Sequence, residues 1–296
     1  MGKKGKKTQA GKPKKLTPKD VGKRLNTLVK KLEEELEGAE LFAPLPPTED
    51  CAICLVPLSR DISESSYHAC CGNDICWACA IEHEGSIKKQ NEENTEMKLA
   101  FTCPLCRGPT PSGPTALAEE FVQIEARCQM NDHVALSVLG TIYETGGHGK
   151  TKDDLKALDC FIRAAELGSA CACGYIGKLY FEGDGGLAVH KERAALFRRI
   201  GALRGDIYSR NNIACSEYNL GNHEIAIRHW KIAAETGMQE SLDALKEIFN
   251  ADGKTPGKEF ISKDEMDTVY RSGHEAQMEV KTEEREKHKT DDVHKC

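Results

Sequence analysis

The apolar residues among the first forty positions recur with the period of an α-helix. Thr17 is suited to an N-cap, Pro18 to the first helical position and Gly38 to the end of the helix. Between them, apolar side chains return every three or four residues, at Val21, Leu25, Leu28, Val29, Leu32 and Leu36. The pattern predicts an amphipathic helix within residues 17–40.

The second half of the chain carries a helical pattern whose spacing repeats. Three glycines lie 37 and 32 residues apart, at Gly168, Gly205 and Gly237. Alanines stand eleven and three positions before each glycine, at Ala157, Ala165, Ala194, Ala202, Ala226 and Ala234. Small residues at fixed positions let two helices approach closely, and a glycine after a helix suits a left-handed cap. The period predicts an all-α helical-repeat solenoid over residues 115–250, with units at about 131–168, 169–205 and 206–237.

The repeats resemble the Sel-like branch of the tetratricopeptide superfamily over about residues 131–240. That motif has G-x-x-Y in the first helix, a glycine-rich loop, and A-A-x-x-G in the second helix. The first unit matches at Gly140, Tyr143, 146–149 and 164–168, and the second at Gly177, Tyr180 and 183–186. The second unit departs at Gly201, where alanine is usual, and the third lacks the long glycine loop. The resemblance implies protein–protein interaction through the repeats.

Residues 251–296 are predicted to form a capping helix and a charged tail. Ser262 and Glu265 fit a capping box that opens a helix, and a solenoid needs such an end cap. From about residue 274 the chain is rich in Glu and Lys, which predicts a frayed tail.

Charge is distributed unevenly along the chain. Residues 1–31 hold 12 of the 41 basic residues and only 1 of the 47 acidic ones, so the rest of the chain is strongly acidic. A basic arm at 1–16 on an acidic body is typical of a disordered tail and makes a nucleic-acid-binding domain an unfavoured interpretation. The arm itself can serve as a nuclear signal, a contact for nucleic acid or acidic lipid, or a solubilising tail.

The chain is rich in cysteine but has no signature of export. The lysines near the start have no apolar stretch behind them, and no run of eighteen apolar residues occurs. We therefore expect no secretory signal, no membrane span and an intracellular location, cytoplasmic or nuclear. Thiols stay reduced in those compartments, so a dense cluster among fourteen cysteines favours metal binding over disulfides.

Eight of the cysteines fall within residues 51–106 with the spacing of metal ligands. Their order is Cys51-x2-Cys54, Cys70-Cys71, Cys76-x2-Cys79 and Cys103-x2-Cys106. A C-x2-C turn sets two thiolates at the separation that tetrahedral zinc requires, so eight sulfurs predict two structural zinc ions without a position for water. The segment has few large apolar residues, and structural zinc contributes on the order of 10–16 kcal/mol to such small modules.

This spacing resembles a RING finger over residues 48–108. Residues 71–76 match the family's C-G-x-x-hydrophobic-C turn, and residues 103–107 match its C-P-x-C-R ending. The resemblance implies a small α+β fold with cross-braced zinc sites. One site would then comprise Cys51, Cys54, Cys76 and Cys79, and the other Cys70, Cys71, Cys103 and Cys106. Most RING fingers have a histidine where this chain has Asn73, so we expect an all-cysteine variant, with His68 as the alternative to Cys70.

The RING resemblance also implies roles for three further residues. Ile53 and Pro104 would form the groove for a ubiquitin-conjugating enzyme, and Arg107 would be the linchpin that clamps ubiquitin in its reactive pose. Such a ligase orients the thioester and forms no covalent intermediate of its own. Two of these residues also have a simpler interpretation: Ile53 can be part of the core, and Arg107 can be a solvated basic residue. Trp77, between two ligands, is predicted to serve packing.

The combined arrangement predicts a RING-type ubiquitin ligase that binds a ubiquitin-loaded conjugating enzyme and recruits substrate or adaptor through its repeats. The alternative is a non-catalytic, zinc-binding interaction scaffold. Partners are expected on exposed residues of the first helices of the units, around 137–144, 174–181 and 210–217. The cysteines in helical stretches are predicted to be buried apolar fillers, at Cys128, Cys160, Cys171, Cys173 and Cys215.

Overall fold

The structure, a computed structural model, describes residues 16–61, 64–93, 100–251 and 255–280. Its helices are α1 (Pro18–Leu36), α2 (Trp77–Glu93), α3 (Ala116–Gln129), α4 (His133–Thr145), α5 (Asp154–Glu166), α6 (Ala170–Glu182), α7 (Lys191–Leu203), α8 (Ile207–Asn219), α9 (His223–Glu235), α10 (Gln239–Asn250) and α11 (Lys263–Val280). Strands β1 (Ser65–His68) and β2 (Asn73–Cys76) form an antiparallel pair in the cysteine-rich region. The predicted basic arm up to residue 15 and the tail beyond residue 280 lie outside the described residues.

The predicted helical repeats are present as three stacked helix pairs. Helices α4, α6 and α8, which we call the first helices, pack on the second helices α5, α7 and α9 respectively. Helix α3 packs on α4 at one end, and α10 and α11 pack on α9 at the other. Within the described residues, no helix is long and apolar enough for a membrane crossing.

The small residues found in the sequence lie where helices meet. A β-carbon at Gly140 would lie 2.6 Å from the Phe161 ring, and one at Gly177 would lie 3.0 Å from Cγ of Arg198. The three glycines that define the repeat have positive φ angles, 99° at Gly168, 101° at Gly205 and 91° at Gly237. They therefore end the second helices in the left-handed conformation that glycine adopts at little cost.

Helix α1 packs against the second helices and shares their core. Its apolar stripe is buried, and Leu32 is fully covered. Polar contacts fix its position at both ends: Arg24 Nη1 lies 2.5 Å from Asp159 Oδ1 on α5, and Arg204 Nη2 lies 2.7 Å from Glu35 Oε2. Helix α1 therefore covers the second helices of the solenoid and does not cover the first helices.

The segment after α1 continues along the repeats towards the cysteine-rich region. Arg210, which is 1% exposed, donates from Nη1 to the carbonyl of Leu41 at 3.1 Å. The Phe42 ring lies 4.8 Å from the ring of His229, between centroids. The connection that joins α1 to the cysteine-rich region is thus held on α8 and α9 by two buried polar side chains.

His229 is a titratable group held in its neutral form by this packing. Its ring is fully buried, and neither nitrogen has a hydrogen-bond partner among the described residues. Burial, reinforced by the positive charges of Arg210, Arg199 and Arg228, lowers the pKa of His229 to about 3. The folded state therefore resists a proton that the unfolded chain accepts below the ordinary histidine pKa of about 6.5.

This depressed pKa predicts acid sensitivity of the helical region. The contribution of neutral His229 to stability is fully present above the pKa of the unfolded chain, about 6.5, and is lost as the pH falls towards the folded pKa of about 3. Lowering the pH from 7 to 5 should therefore reduce the free energy of unfolding by about 2 kcal/mol. Urea unfolding followed by helical circular dichroism at both pH values measures this loss. His229→Leu should lose about 2 kcal/mol less than the wild type over the same interval. Equal losses in the two proteins would contradict this role of His229.

Candidate metal centre

The eight clustered cysteines come together in two groups of four. One group is Cys51, Cys54, Cys76 and Cys79, and the other is Cys70, Cys71, Cys103 and Cys106. Within each group the four sulfur atoms lie within 4.8 Å of one another. We call these groups tetrad 1 and tetrad 2. The chain order alternates between them, so each tetrad ties together segments that are distant in sequence.

The sulfur–sulfur distances suit a tetrahedral ion. Cys54 Sγ lies 3.8 Å from Cys76 Sγ in tetrad 1, and Cys71 Sγ lies 3.8 Å from Cys103 Sγ in tetrad 2. Cys106 Sγ and Cys70 Sγ are 3.5 Å apart. Four thiolates at about 2.3 Å from a central ion would be separated by about 3.8 Å in a regular tetrahedron. The geometry therefore fits a metal ion held by sulfur alone.

The first and last cysteine pairs lie on nearly identical turns. Leu55 N donates to Cys51 O at 2.9 Å, and Arg107 N donates to Cys103 O at 2.9 Å. Leu55 and Arg107 both have a φ of 59°, so in each turn the backbone reverses at a left-handed residue directly after the second cysteine. The turns present the two sulfurs of each pair on one side and expose the side chain of the reversing residue on the other.

Backbone hydrogen bonds and burial give the thiols of tetrad 1 different acidities. Burial opposes ionisation of Cys51, but N–H groups of Cys54, Cys76 and Ile53 outweigh it and lower the pKa of Cys51 to about 6. The pKa of Cys79 is raised, first by burial and then by the other thiols of its tetrad.

Tetrad 2 follows the same pattern. The backbone N–H of Gly108 lowers the pKa of Cys106, whereas burial and neighbouring thiols raise the pKa of Cys70. Each tetrad thus contains one thiol with a lowered pKa, Cys51 or Cys106, and one with a raised pKa, Cys79 or Cys70. Metal binding at either tetrad is therefore expected to release protons.

Asn73, at the position of the usual RING histidine, and His68, the alternative to Cys70, both lie outside the tetrads. Asn73 is exposed, and its Nδ2 donates to the carbonyl of Cys71 at 3.4 Å. His68 ends β1, and its Nε2 is buried without a hydrogen-bond partner among the described residues. Cys70, rather than His68, contributes its ligand atom to tetrad 2.

The apolar core of the cysteine-rich region is small. Besides cysteines of tetrad 1 it contains Ile75 and Ala80, with Leu58, Ala78 and Leu105 packed against it. Ile75 is the large side chain that is fully buried there. So little apolar burial cannot offset the entropy of ordering some sixty residues, which is why we expect the region to depend on its metal ions.

The cysteine-rich region is also hydrogen-bonded to the first repeat. Tyr67 on β1 donates its hydroxyl to Asp132 Oδ2 at 2.8 Å, and Arg127 Nη2 lies 2.8 Å from the same oxygen. The other oxygen, Oδ1, caps α4 by accepting from the N–H groups of Val134 and Ala135. One carboxylate therefore joins β1, α3 and the start of α4.

Gly72 shows a requirement that the sequence motif alone does not explain. Its φ is 75°, and a β-carbon there would lie only 1.8 Å from Nη2 of Arg127. The glycine of the C-G-x-x-hydrophobic-C turn thus serves two needs in this chain, a left-handed backbone and the close approach of the solenoid.

The residues to which the RING resemblance gives roles lie at the surface of the two turns. Ile53 is 43% exposed, Pro104 is half-buried and Arg107 is exposed. The interpretation of Ile53 as core is therefore wrong. Trp77 is 47% exposed and is not among the residues that form the small core, so the prediction that it serves packing is also wrong.

Two of the remaining cysteines depart from their predicted burial. Cys128, Cys160 and Cys173 are buried as expected, but Cys215 is exposed and Cys171 is half-buried. Cys171 and Cys215 lie on the first helices α6 and α8, which α1 does not cover. Burial raises the pKa of Cys171 to about 12, so this thiol is protonated at neutral pH.

The sequence analysis did not predict the burial of Arg198 on α7. It is 9% exposed, and its Nε has no hydrogen-bond partner among the described residues. An arginine in an amphipathic helix usually indicates the solvent side. The sequence signal for this burial was Gly177, because a glycine at that position leaves room for the aliphatic part of the Arg198 side chain.

Comparisons with known proteins give similarities only among solved structures. No family model matches the chain, and curated proteins give no significant match. A Sel1 repeat protein from Oxalobacter formigenes is 27% identical over 53% of this chain and 64% of its own, with a TM-score of 0.45. A protective antigen of uropathogenic Escherichia coli strains with an SLR fold is 20% identical over 66% of this chain and 38% of its own, with a TM-score of 0.43. The chain thus spans less than two thirds of either protein.

Proposed function

We propose that this protein is a zinc-dependent protein-interaction scaffold, in which a two-zinc module is attached to a helical-repeat solenoid. The observation that carries the proposal is the pair of all-cysteine tetrads next to an uncovered row of first helices. Four soft thiolate ligands in a tetrahedron favour zinc among the common cellular ions that are not redox-active. A fully ligated zinc has no position for water, so its role here is structural.

The contacts between module and solenoid support a scaffold with a fixed geometry. Tyr67 is bonded to Asp132, and the ring of Phe42 packs on His229 at the other end of the solenoid. The module is therefore held on the first repeat at Tyr67, and the segment that leads to it is held on α9 at Phe42. A partner on the module and a partner on the first helices would be kept in a defined relation to each other.

Ubiquitin ligation is the second candidate function. It is favoured by the surface position of Ile53 and Arg107 on the two similar turns, where the RING resemblance requires accessible side chains. An apolar side chain on one turn would bind the conjugating enzyme, and the guanidinium on the other would donate hydrogen bonds to ubiquitin. The planar fork of arginine suits this role because it donates several hydrogen bonds at once. The contribution to catalysis would be orientation of the thioester.

A ubiquitin-discharge assay separates the two functions. If the protein is a ligase, the full chain accelerates discharge from at least one of a panel of ubiquitin-loaded conjugating enzymes. Ile53→Ala should then weaken enzyme binding about tenfold, and Arg107→Ala should preserve binding and slow discharge. Ile225→Ala and Arg271→Ala are matched controls, because Ile225 is 40% exposed on α9 and Arg271 is exposed on α11.

The outcome assigns one function or the other. Discharge that depends on Ile53 and Arg107 but not on the control residues would replace the scaffold with the ligase. Discharge at the rate of the conjugating enzymes alone, by a chain that contains its zinc, would support the scaffold and leave Arg107 as a solvated basic residue.

A further inference from the structure

A groove crosses the uncovered side of the solenoid between α6 and α8. It consists of one cavity of about 440 Å³, lined by Tyr175 and Tyr208 among others, and a second of about 480 Å³, lined by Ile213. Phe181 and Arg198 line both cavities, so the two adjoin at this pair. We call this the α6–α8 groove. It contains residues of two segments predicted to bind partners, 174–181 and 210–217, whereas segment 137–144 does not line it.

Arg198 brings an unused charge into the groove. Its Nε has no hydrogen-bond partner, and among the described residues no carboxylate lies within ion-pair distance of its guanidinium. The guanidinium lies over the ring of Phe181, 4.3 Å from the ring centroid. Burial lowers the pKa of Arg198, although the more distant Glu182 acts against this. A buried cation without a hydrogen-bonded partner costs stability, and such a cost is typical of binding sites.

Among the described residues, none of the carboxylates that line the groove forms an ion pair with Arg198; they are Asp61, Glu182, Glu192, Asp206 and Glu217, and Glu217 pairs with Arg199 instead. Asp206 caps α8, where its Oδ2 accepts from the N–H of Ser209 at 2.9 Å. Asp61 is hydrogen-bonded to the side chain of Tyr208. Lys178, which is exposed on α6, adds a second positive charge at the rim. A ligand carboxylate would therefore supply the partner that the Arg198 guanidinium lacks.

The aromatic side chains indicate what lies beside the carboxylate. Phe181 on α6 is 49% exposed and Tyr208 on α8 is 39% exposed, and both line the first cavity. Half-exposed aromatic rings next to a desolvated arginine are the residue types that dominate binding energy at protein interfaces. The two cavities follow one another along α8, the first beside residues 208–212 and the second beside residues 213–219, so together they suit an extended chain better than a compact small molecule.

We propose that the α6–α8 groove binds an extended peptide segment of a partner protein, in which an Asp or Glu lies next to an aromatic or large aliphatic residue. Arg198 binds the carboxylate, and Phe181 and Tyr208 pack against the apolar side chain. The proposal rests on the interaction function proposed above and specifies the partner's chemistry.

Selection from a random twelve-residue peptide library, displayed on phage and presented to the full chain, tests the proposal. Enriched peptides should share an acidic residue within two positions of an aromatic or aliphatic one. Synthetic copies of an enriched peptide should bind Arg198→Gln about tenfold to a hundredfold more weakly than the wild type, since a hydrogen-bonded charge is lost. Arg198→Lys should recover part of the affinity, and Arg271→Gln, a change of the same kind on exposed α11, should leave it unchanged.

Thermal melting separates a binding role from a structural one. Because the Arg198 guanidinium has no hydrogen-bonded carboxylate to lose, Arg198→Gln should melt at the wild-type temperature or above it. A large drop in its melting temperature would assign Arg198 to the fold and overturn the proposal. Enrichment of peptides without an acidic residue, no enrichment at all, or equal binding to Arg198→Gln and wild type would overturn it as well.

The result is independent of the tests of the proposed function. Neither selection nor peptide binding involves ubiquitin or a conjugating enzyme. A chain that binds no zinc but selects acidic peptides would contradict the zinc-dependent scaffold alone. A chain that holds two zinc ions but selects no such peptide would contradict the groove proposal alone.

Discussion

Replacing Cys51 with serine is expected to reduce the bound metal from two ions per chain to one at most and to unfold the cysteine-rich region. Cys51 is fully buried, its sulfur accepts the backbone N–H of Cys76 at 3.4 Å, and it belongs to the tetrad around which the small core forms. A structural zinc is worth on the order of 10–16 kcal/mol, far more than the apolar burial of this region can replace. Native mass spectrometry gives the metal count, and circular dichroism gives the helix content.

The solenoid should remain folded in this variant. Its core is formed by its own helices and α1, and the module adds mainly Ala69, which is buried against the solenoid, and the Tyr67–Asp132 hydrogen bond. Most of the helical signal should therefore persist, with a lower melting temperature. Cys215→Ser is the matched control, since Cys215 is an exposed cysteine on α8 outside both tetrads. Two ions bound to Cys51→Ser, or collapse of the helical signal, would contradict the division into module and solenoid.

Replacing Leu32 with aspartate is expected to detach α1 from the second helices. Leu32 is fully buried, in a stripe with Val21, Leu25, Leu28 and Val29. Burial of an unpaired carboxylate costs more than about 4 kcal/mol, so the helix should leave its place rather than bury the charge. Five buried apolar side chains contribute roughly 1.5–3 kcal/mol each, an upper estimate of what the solenoid then loses.

Hydrogen exchange and thermal melting measure this detachment. The amides of α1 should exchange rapidly in Leu32→Asp, and the melting temperature should fall by many degrees. Lys30→Asp places the same side chain on the exposed face of the same helix and should leave exchange and melting close to wild type. If the two variants melt alike, α1 does not form part of the solenoid core.

The sequence predicted this helix but not its partner. Thr17 accepts the N–H of Asp20 and Pro18 begins the helix, as the capping pattern predicts. The helix ends at Leu36, and Gly38 follows with a φ of 78°. An amphipathic stripe shows which face is buried, but not against which surface. The docking on α5 and α7 depends on pairs such as Glu35 with Arg204, whose members are 169 residues apart.

The repeat was predictable because its signals are local and recur. The period is set by glycines and alanines at the positions where helices pack closely. The predicted capping box is also present, with Ser262 N donating to Glu265 Oε2 at 2.9 Å. The misses have a common physical origin. Exposure of Trp77 and Cys215 and burial of Arg198 depend on which neighbouring helix covers which face, and no short window of sequence contains that information.

The RING resemblance implied which thiols come together in the two tetrads. Their chemistry is tested most directly on the metal itself. X-ray absorption at the zinc edge on the full chain, with its zinc content measured in parallel, reports both ligand type and stoichiometry. The account predicts two zinc ions per chain, each with four sulfur neighbours at about 2.3 Å and no nitrogen. Fewer than two ions, a nitrogen ligand such as His68, or cysteines joined in disulfides instead of bound to metal would contradict it.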